Sequence, residues 1–176
     1  MPKVAVIGNA GGGKTTLSRQ LAKHLGIPLY HVDSYQFLAG MKIRPHQETI
    51  QILTDIQNRE NWLIDGYGPL DIIIKRFEIA DHVVLIDFPL WRHYWWSLKR
   101  QIKSLWSPRT ELPAGCHEAN IKQSYKLFRT IWKVHTQMRP ELLRILNRPH
   151  LLPKVKMIKT YQDFVNLSRE GNLQGP

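Results

Sequence analysis

Eight residues near the start of the chain, Gly8-Asn9-Ala10-Gly11-Gly12-Gly13-Lys14-Thr15, have the types and the spacing to hold a polyphosphate. They read G-x-x-x-x-G-K-T, between the apolar run Val4-Ala5-Val6-Ile7 and a helical pattern, which is the context a phosphate-binding P-loop requires. Glycines let the backbone curl so that successive N–H groups face inward as an anion nest, and the following helix adds its positive N-terminal end. Lys14 has the reach for the β- and γ-phosphates of a nucleotide, and the Thr15 hydroxyl suits a bound Mg²⁺. The expected nucleotide-binding set is therefore Gly8, Asn9, Ala10, Gly11, Gly12, Gly13, Lys14, Thr15 and Thr16.

Transfer of a phosphoryl group asks a protein chiefly for positioning and for stabilisation of spreading negative charge. Three aspartates follow short apolar runs: Asp33, Asp65 and Asp87. Asp65 and Asp87 are candidate Mg²⁺ holders, directly or through water. Asp33 is a candidate base for an acceptor hydroxyl, or a group that orients the acceptor. Arg44 is placed to meet an acceptor phosphate or carboxylate, which a guanidinium grips in a bidentate way. Arg92, Arg100, Arg109 and Arg139 are candidates for a clamp over the transferring phosphate.

Elements that would position these residues can be read from the pattern. Apolar runs at Lys3–Ile7, Pro28–Val32, Trp62–Ile64, Val83–Ile86 and Val155–Ile158 predict five strands,. Helices are predicted from Lys14 to Gly26, from Pro45 to Arg59, over 71–79, over 91–106 and over 120–138, with a last one opened by Thr160-Tyr161-Gln162-Asp163, which has the form of a capping box,. Strands alternating with helices imply a parallel sheet covered on both faces, an α/β three-layer sandwich. Ligands of such sheets bind at the strand carboxyl ends, and Gly8, Asp33, Asp65 and Asp87 all fall there. The aromatic stripe Trp91, Tyr94, Trp95, Trp96 and Trp106 is read as packing, and the ridge Lys122, Lys126, Arg129, Lys133 as a solvated face.

A chain of 176 residues accommodates one domain, expected over 1–170 with a flexible tail at 171–176,. Its one cysteine, Cys116, rules out an internal disulfide framework,. No apolar run approaches the ~18 residues of a membrane span, and the first strand starts within a few residues of Met1, so a cytoplasmic protein is expected. The formal net charge of +11 is unevenly spread: residues 88–156 hold fourteen basic and three acidic residues and carry the whole excess. Such a block points to polyanionic ligands, either nucleotide phosphates or nucleic acid.

Gly8–Thr15 taken with Trp62-Leu63-Ile64-Asp65-Gly66-Tyr67 resembles the adenylate kinase superfamily, and more narrowly its DNA-topology-modulation (FlaR-like) relatives. The narrower resemblance is carried by His31-x-Asp33, by Ala80-Asp81 before a strand ending Asp87-Phe88-Pro89, and by Lys99-Arg100, Arg109 with Gly115-Cys116, and Arg139-Pro140. It implies a five-stranded P-loop NTPase core in the order 2-3-1-4-5, an acceptor-binding region at about 33–60 and an arginine-rich lid at about 100–120. It also implies an acceptor contact by Asp65, Gly66 and Tyr67, with Lys14, Asp33, Arg100, Arg109 and Arg139 in catalysis. In one respect this chain departs from adenylate kinases: no arginine follows Asp65-Gly66-Tyr67 until Arg76, so AMP is not indicated as acceptor. The sequence thus predicts an ATP- and Mg²⁺-dependent kinase acting on a small molecule, a nucleotide or nucleoside first, with two alternatives. One is a shikimate-like kinase of a hydroxyl compound; the other is a nucleic-acid-binding protein with a regulatory nucleotide site.

Overall fold

A computed structural model of the chain describes residues 2–104 and 121–173. Arg109, Trp106, Cys116 and most of the expected lid lie outside the described residues.

Strand β1 (Lys3–Gly8) runs up the middle of a five-stranded parallel sheet. On one side it pairs with β5 (Trp62–Asp65), which pairs with β2 (Leu29–His31). On the other it pairs with β6 (His82–Ile86), which pairs with β7 (Val155–Ile158). Counting only these strands, the order is 2-3-1-4-5, as expected. The register brings His31 opposite Asp65 and Gly8 opposite Ile86. All the strand ends that were read as functional therefore share one rim.

β1 is buried on both faces, so its alternate side chains feed two separate cores,. Ala5 and Ile7 pack with Leu53 and Ile56 of α3 (His46–Gln57), Ile73 and Phe77 of α4 (Leu70–Ile79), and Leu142 and Leu146 of α7 (Arg139–Leu146). Val4 and Val6 pack with Leu17 and Leu21 of α1 (Lys14–Leu25), and with Phe164 and Leu167 of α8 (Tyr161–Glu170). The result is the three-layer sandwich. Helix α5 (Leu90–Ser104) and α6 (Ile121–Lys133) cross the carboxyl end of the sheet beside the glycine loop. A π-helical turn, Val134–Met138, joins α6 to α7. None of the described helices is long and apolar enough to cross a membrane.

Three expectations need correction. The stretch after His31 is a short helix α2 (Val32–Gln36) followed by an antiparallel hairpin, β3 (Phe37–Leu38) and β4 (Lys42–Ile43). Gly40, at φ 72°, makes its turn. The hairpin is too short and too exposed to show a period-2 pattern. The aromatic stripe is not all core: Trp96 packs on Phe88 and Tyr94 on Phe128, but Trp91 and Trp95 are exposed. Periodicity alone placed them on a helix without saying what covers it. Residues 171–173, expected as tail, are tied down: Gly171 caps α8 through the Leu167 carbonyl, the Asn172 carbonyl accepts from Lys156 Nζ, and Leu173 is buried.

The capping box at Thr160 is present in full. Thr160 Oγ1 accepts from the Asp163 N–H at 3.1 Å, and Asp163 Oδ2 accepts from the Thr160 N–H at 2.9 Å. Thr160→Ala removes half of it and is expected to cost about 1 kcal/mol, read as a shift in the urea midpoint at unchanged slope.

Candidate active site

The glycine loop is built between β1 and α1. Gly11 and Gly13 take left-handed conformations at φ 71° and 80°, and Gly13 leads directly into α1 without any side-chain cap. The first amides of the helix therefore have no partner from a capping side chain and face the nest, the arrangement that binds a phosphate. Lys14 folds back across the loop, its Nζ donating to the Asn9 carbonyl at 3.0 Å. Its ammonium thus stands where phosphate charge would arrive. Thr15 is half-buried at the first turn, whereas Thr16 is exposed. The Asn9 side chain braces the loop: its Nδ2 donates to the Ile131 carbonyl and its Oδ1 accepts from the Ala10 N–H, both at 2.8 Å.

One group holding the loop was not anticipated. His93, on α5 and 1% exposed, donates from Nδ1 to the Ala10 carbonyl at 3.0 Å. Burial pushes its imidazole down to about 4, with the Lys14 charge acting in the same direction and the Ala10 and Phe88 carbonyls opposing it. His93 is therefore neutral and fixes the loop through one tautomer. Eighty-three residues separate the partners, so no local pattern advertises the contact. Because the unfolded chain takes up a proton near 6.5 and the folded chain only near 4, His93 makes the fold lose stability as pH falls through that window, by roughly 2–3 kcal/mol. His93→Gln is expected to flatten this part of the stability–pH curve, measured by urea melts of both proteins between pH 7 and 4.

Beside the loop, the rim of the sheet carries a charged pair. Asp87, with its side chain 8% exposed, is held by Arg139 through two hydrogen bonds, Nε to Oδ1 at 2.5 Å and the second guanidinium nitrogen to Oδ2 at 2.8 Å. That hydrogen bond to Asp87 raises the Arg139 guanidinium further above its ordinary value, against the effect of burial. The pair lines a narrow cleft together with Gly8, Tyr67, His93 and His135. Burial raises the Tyr67 phenol, and the Asp87 charge raises it further, so the hydroxyl stays protonated.

Asp65 is 4% exposed and accepts from His31 Nδ1 at 3.1 Å. Its other carboxylate oxygen is buried with no partner among the described residues. Arg76, fully buried, donates to the Gly66 carbonyl at 2.7 Å and to the Tyr67 carbonyl at 3.1 Å. Burial pulls it down to about 10, with the Asp65 charge opposing. The arginine that the sequence lacks after Tyr67 thus has a distant counterpart, which props up the Gly66-Tyr67 turn from beneath instead of facing a ligand. Arg44 is also engaged, its Nε donating to the Tyr35 carbonyl at 2.7 Å and its Nη1 to Glu48 at 3.4 Å. Asp33 sits in the first turn of α2, half-buried. Arg100 is half-buried on α5, on the side shared with His93 and Ser97,.

The residues fit a nucleotide with Mg²⁺. A Cβ on Gly11 would overlap Ser97 Oγ and lie 2.6 Å from the His93 carbonyl oxygen, so the nest depends on the bare backbone. No group of three or more His, Cys, Asp or Glu that could hold a metal exists among the described residues. Mg²⁺ bound between phosphate oxygens, Thr15 and water needs no such cage.

Sheet order, glycine loop and overlying helices together define a P-loop kinase fold. Of solved structures, the shikimate kinase from Acinetobacter baumannii in complex with shikimate aligns with 97% of this chain and 90% of its own, at TM-score 0.60 and 17% identity. The gluconokinase from Sinorhizobium meliloti 1021 aligns with 97% and 89%, at TM-score 0.54 and 14% identity. In sequence, the chain is 35% identical over 91 residues to a probable gluconokinase of Xenopus tropicalis, covering 52% of this chain and 44% of that protein. The chain thus spans less than half the length of this curated relative. No protein-family model matches it.

Proposed function

We propose that this chain is an ATP-dependent phosphotransferase that moves the γ-phosphate of Mg-ATP to a hydroxyl of a small molecule. One observation carries the reading. The Lys14 ammonium lies across a glycine nest at the uncapped start of α1, on the same sheet rim as an acceptor-side cleft. Lys14 and the loop amides hold the donor phosphates, and Thr15 holds Mg²⁺, with Asp65 or Asp87 reaching it through water. The ion, when bound, neutralises charge on the phosphates. Asp33 takes the proton of the acceptor hydroxyl, and Arg100 and Arg139 act on the charge that spreads in the transition state.

Kinases of hydroxyl compounds are the relatives that share the fold, and this supports a hydroxyl acceptor over a nucleoside monophosphate. The resemblance of the sequence motifs to the FlaR-like relatives of adenylate kinase is in keeping with a P-loop kinase and leaves the acceptor open. The test is ATP binding with Mg²⁺, followed by ADP release against a panel of nucleosides, nucleoside monophosphates, sugar alcohols and hydroxy acids. Absence of both ATP binding and ADP release would reject the proposal.

A second reading, nucleic-acid binding, draws support from exposed aromatic and basic residues on two helices: Trp95 with Lys99 stacked over it on α5, and Tyr125, Lys126, Arg129, Trp132 and Lys133 on α6. Aromatic and basic side chains together suit bases and phosphates. Phosphate contacts are strongest at low salt, so no duplex or single-strand binding at ~50 mM salt would remove this reading.

A further inference from the structure

We infer that the outer face of α5 and α6 docks this protein on an anionic lipid surface. The inference stands apart from the kinase reading and does not depend on it.

Exposed apolar side chains scattered singly over a surface are ordinary, whereas a contiguous patch of them marks a binding face. Ten large ones are exposed among the described residues, and six of these sit on the two helices. Trp91, Trp95, Leu98 and Ile102 recur along α5 at the spacing of one helix face, with Trp91 62% exposed,. On α6, Tyr125 and Trp132 flank Phe128 three residues before it and four after, which puts all three in one stripe,. The stripes meet where Tyr94 packs edge-on against Phe128, at 5.6 Å between ring centroids. Here lies a groove of about 840 Å³ lined by Trp91, Tyr94, Trp95, Leu98 and Phe128, none of them charged.

Charge selects the occupant. The sequences of α5 and α6 hold eight Lys and Arg and not one Asp or Glu. Lys99 stands over the Trp95 ring at 4.9 Å, and Lys126, Arg129 and Lys133 are exposed on α6. Indole and aliphatic groups of such a face enter a bilayer at headgroup level, while the long cations reach the lipid phosphates.

Other occupants fit less of what is there. A second copy would bring two basic, acid-free faces together, and like charges oppose that. A partner helix would seat on the groove lining, which does not include Ile102, Tyr125 or Trp132. Nucleic acid would pair with the cations and stack on the rings, but Leu98 and Ile102 offer it nothing. A lipid surface takes up the rings, the aliphatic groups and the cations together.

The test mixes the full chain with vesicles of phosphatidylglycerol and phosphatidylcholine in equal parts, or of phosphatidylcholine alone. Flotation reads binding, and quenching of tryptophan fluorescence by brominated acyl chains reads entry into the bilayer. Binding to the anionic vesicles is expected to be at least about tenfold tighter, with quenching. Trp91→Ser combined with Trp95→Ser, both at exposed positions, is expected to weaken it at least about tenfold and remove most of the quenching,. Lys126→Gln combined with Lys133→Gln should weaken it roughly 30-fold.

No flotation with the anionic vesicles would overturn the inference. So would binding that the tryptophan variant leaves unchanged, because that is adsorption of a basic protein by charge alone. Vesicle binding without quenching would overturn it too, since the groove would then be filled by the chain itself. Two further results would reassign the face: a single-stranded oligonucleotide bound in place of vesicles and released by the tryptophan variant, or a dimer in sedimentation velocity that this variant dissociates.

Discussion

Lys14→Ala is expected to leave a folded protein whose phosphoryl transfer is slowed on the order of 10³-fold. The magnitude follows from where the ammonium lies. In the structure it donates to the Asn9 carbonyl across the loop. That neutral acceptor is readily exchanged for a phosphate oxygen, which offers a full charge. Loss of the lysine therefore removes a charge-assisted contact to the group being transferred, and the contact strengthens as negative charge develops. The half-buried side chain closes no core, so the thermal midpoint should change little. Steady-state ADP release and a melting curve on the same preparation check both parts. A variant that keeps the wild-type rate would contradict the assignment of the loop.

The second large effect is expected at Gly11. With φ at 71°, a side chain there is strained whatever the space around it,. Space is also lacking: the new Cβ would overlap Ser97 Oγ and come within 2.6 Å of the His93 carbonyl oxygen, on the helix that braces the loop. The obstacle is backbone as well as side chain, so α5 must shift away. That motion breaks the His93 to Ala10 hydrogen bond and opens the nest. Gly11→Ala should cost about 3 kcal/mol, a fall in melting temperature of roughly 6–12 °C, together with loss of Mg-ATP stabilisation. The comparison with Lys14→Ala is informative because one variant loses function with its fold and the other loses function alone. Equal thermal stabilisation of the Gly11 variant and the wild type by Mg-ATP would show that the loop tolerates the displacement.

Much of this site was legible one residue at a time. Gly8–Thr15 identified itself because phosphate binding by backbone amides demands glycines at fixed spacing next to a strand and a helix. The β1, β5 and β6 runs were legible because burial on both faces writes continuous apolar stretches,. The strand order came from resemblance, since periodicity says nothing of which strands are neighbours. The β3–β4 hairpin escaped because strands of two residues are too short to show a period-2 pattern, and the exposure of Trp91 and Trp95 because periodicity does not say what covers a helix face,.

The sequence by itself determined the donor half of this protein. A nucleotide nest is made of consecutive residues, so its chemistry and its spacing are the same thing. Only the tertiary structure decided how the rest of the rim, and the loop itself, are braced. There the decisive contacts join residues distant from one another along the chain: Asp87 with Arg139, His31 with Asp65, Arg76 with Gly66 and Tyr67, and His93 with Ala10. A charged side chain in a sequence reads as an available charge. Whether it is available or already engaged is a matter of partners brought together by the sheet and its helices, which is how Arg139 comes to stand on Asp87 and Arg76 beneath Gly66 and Tyr67.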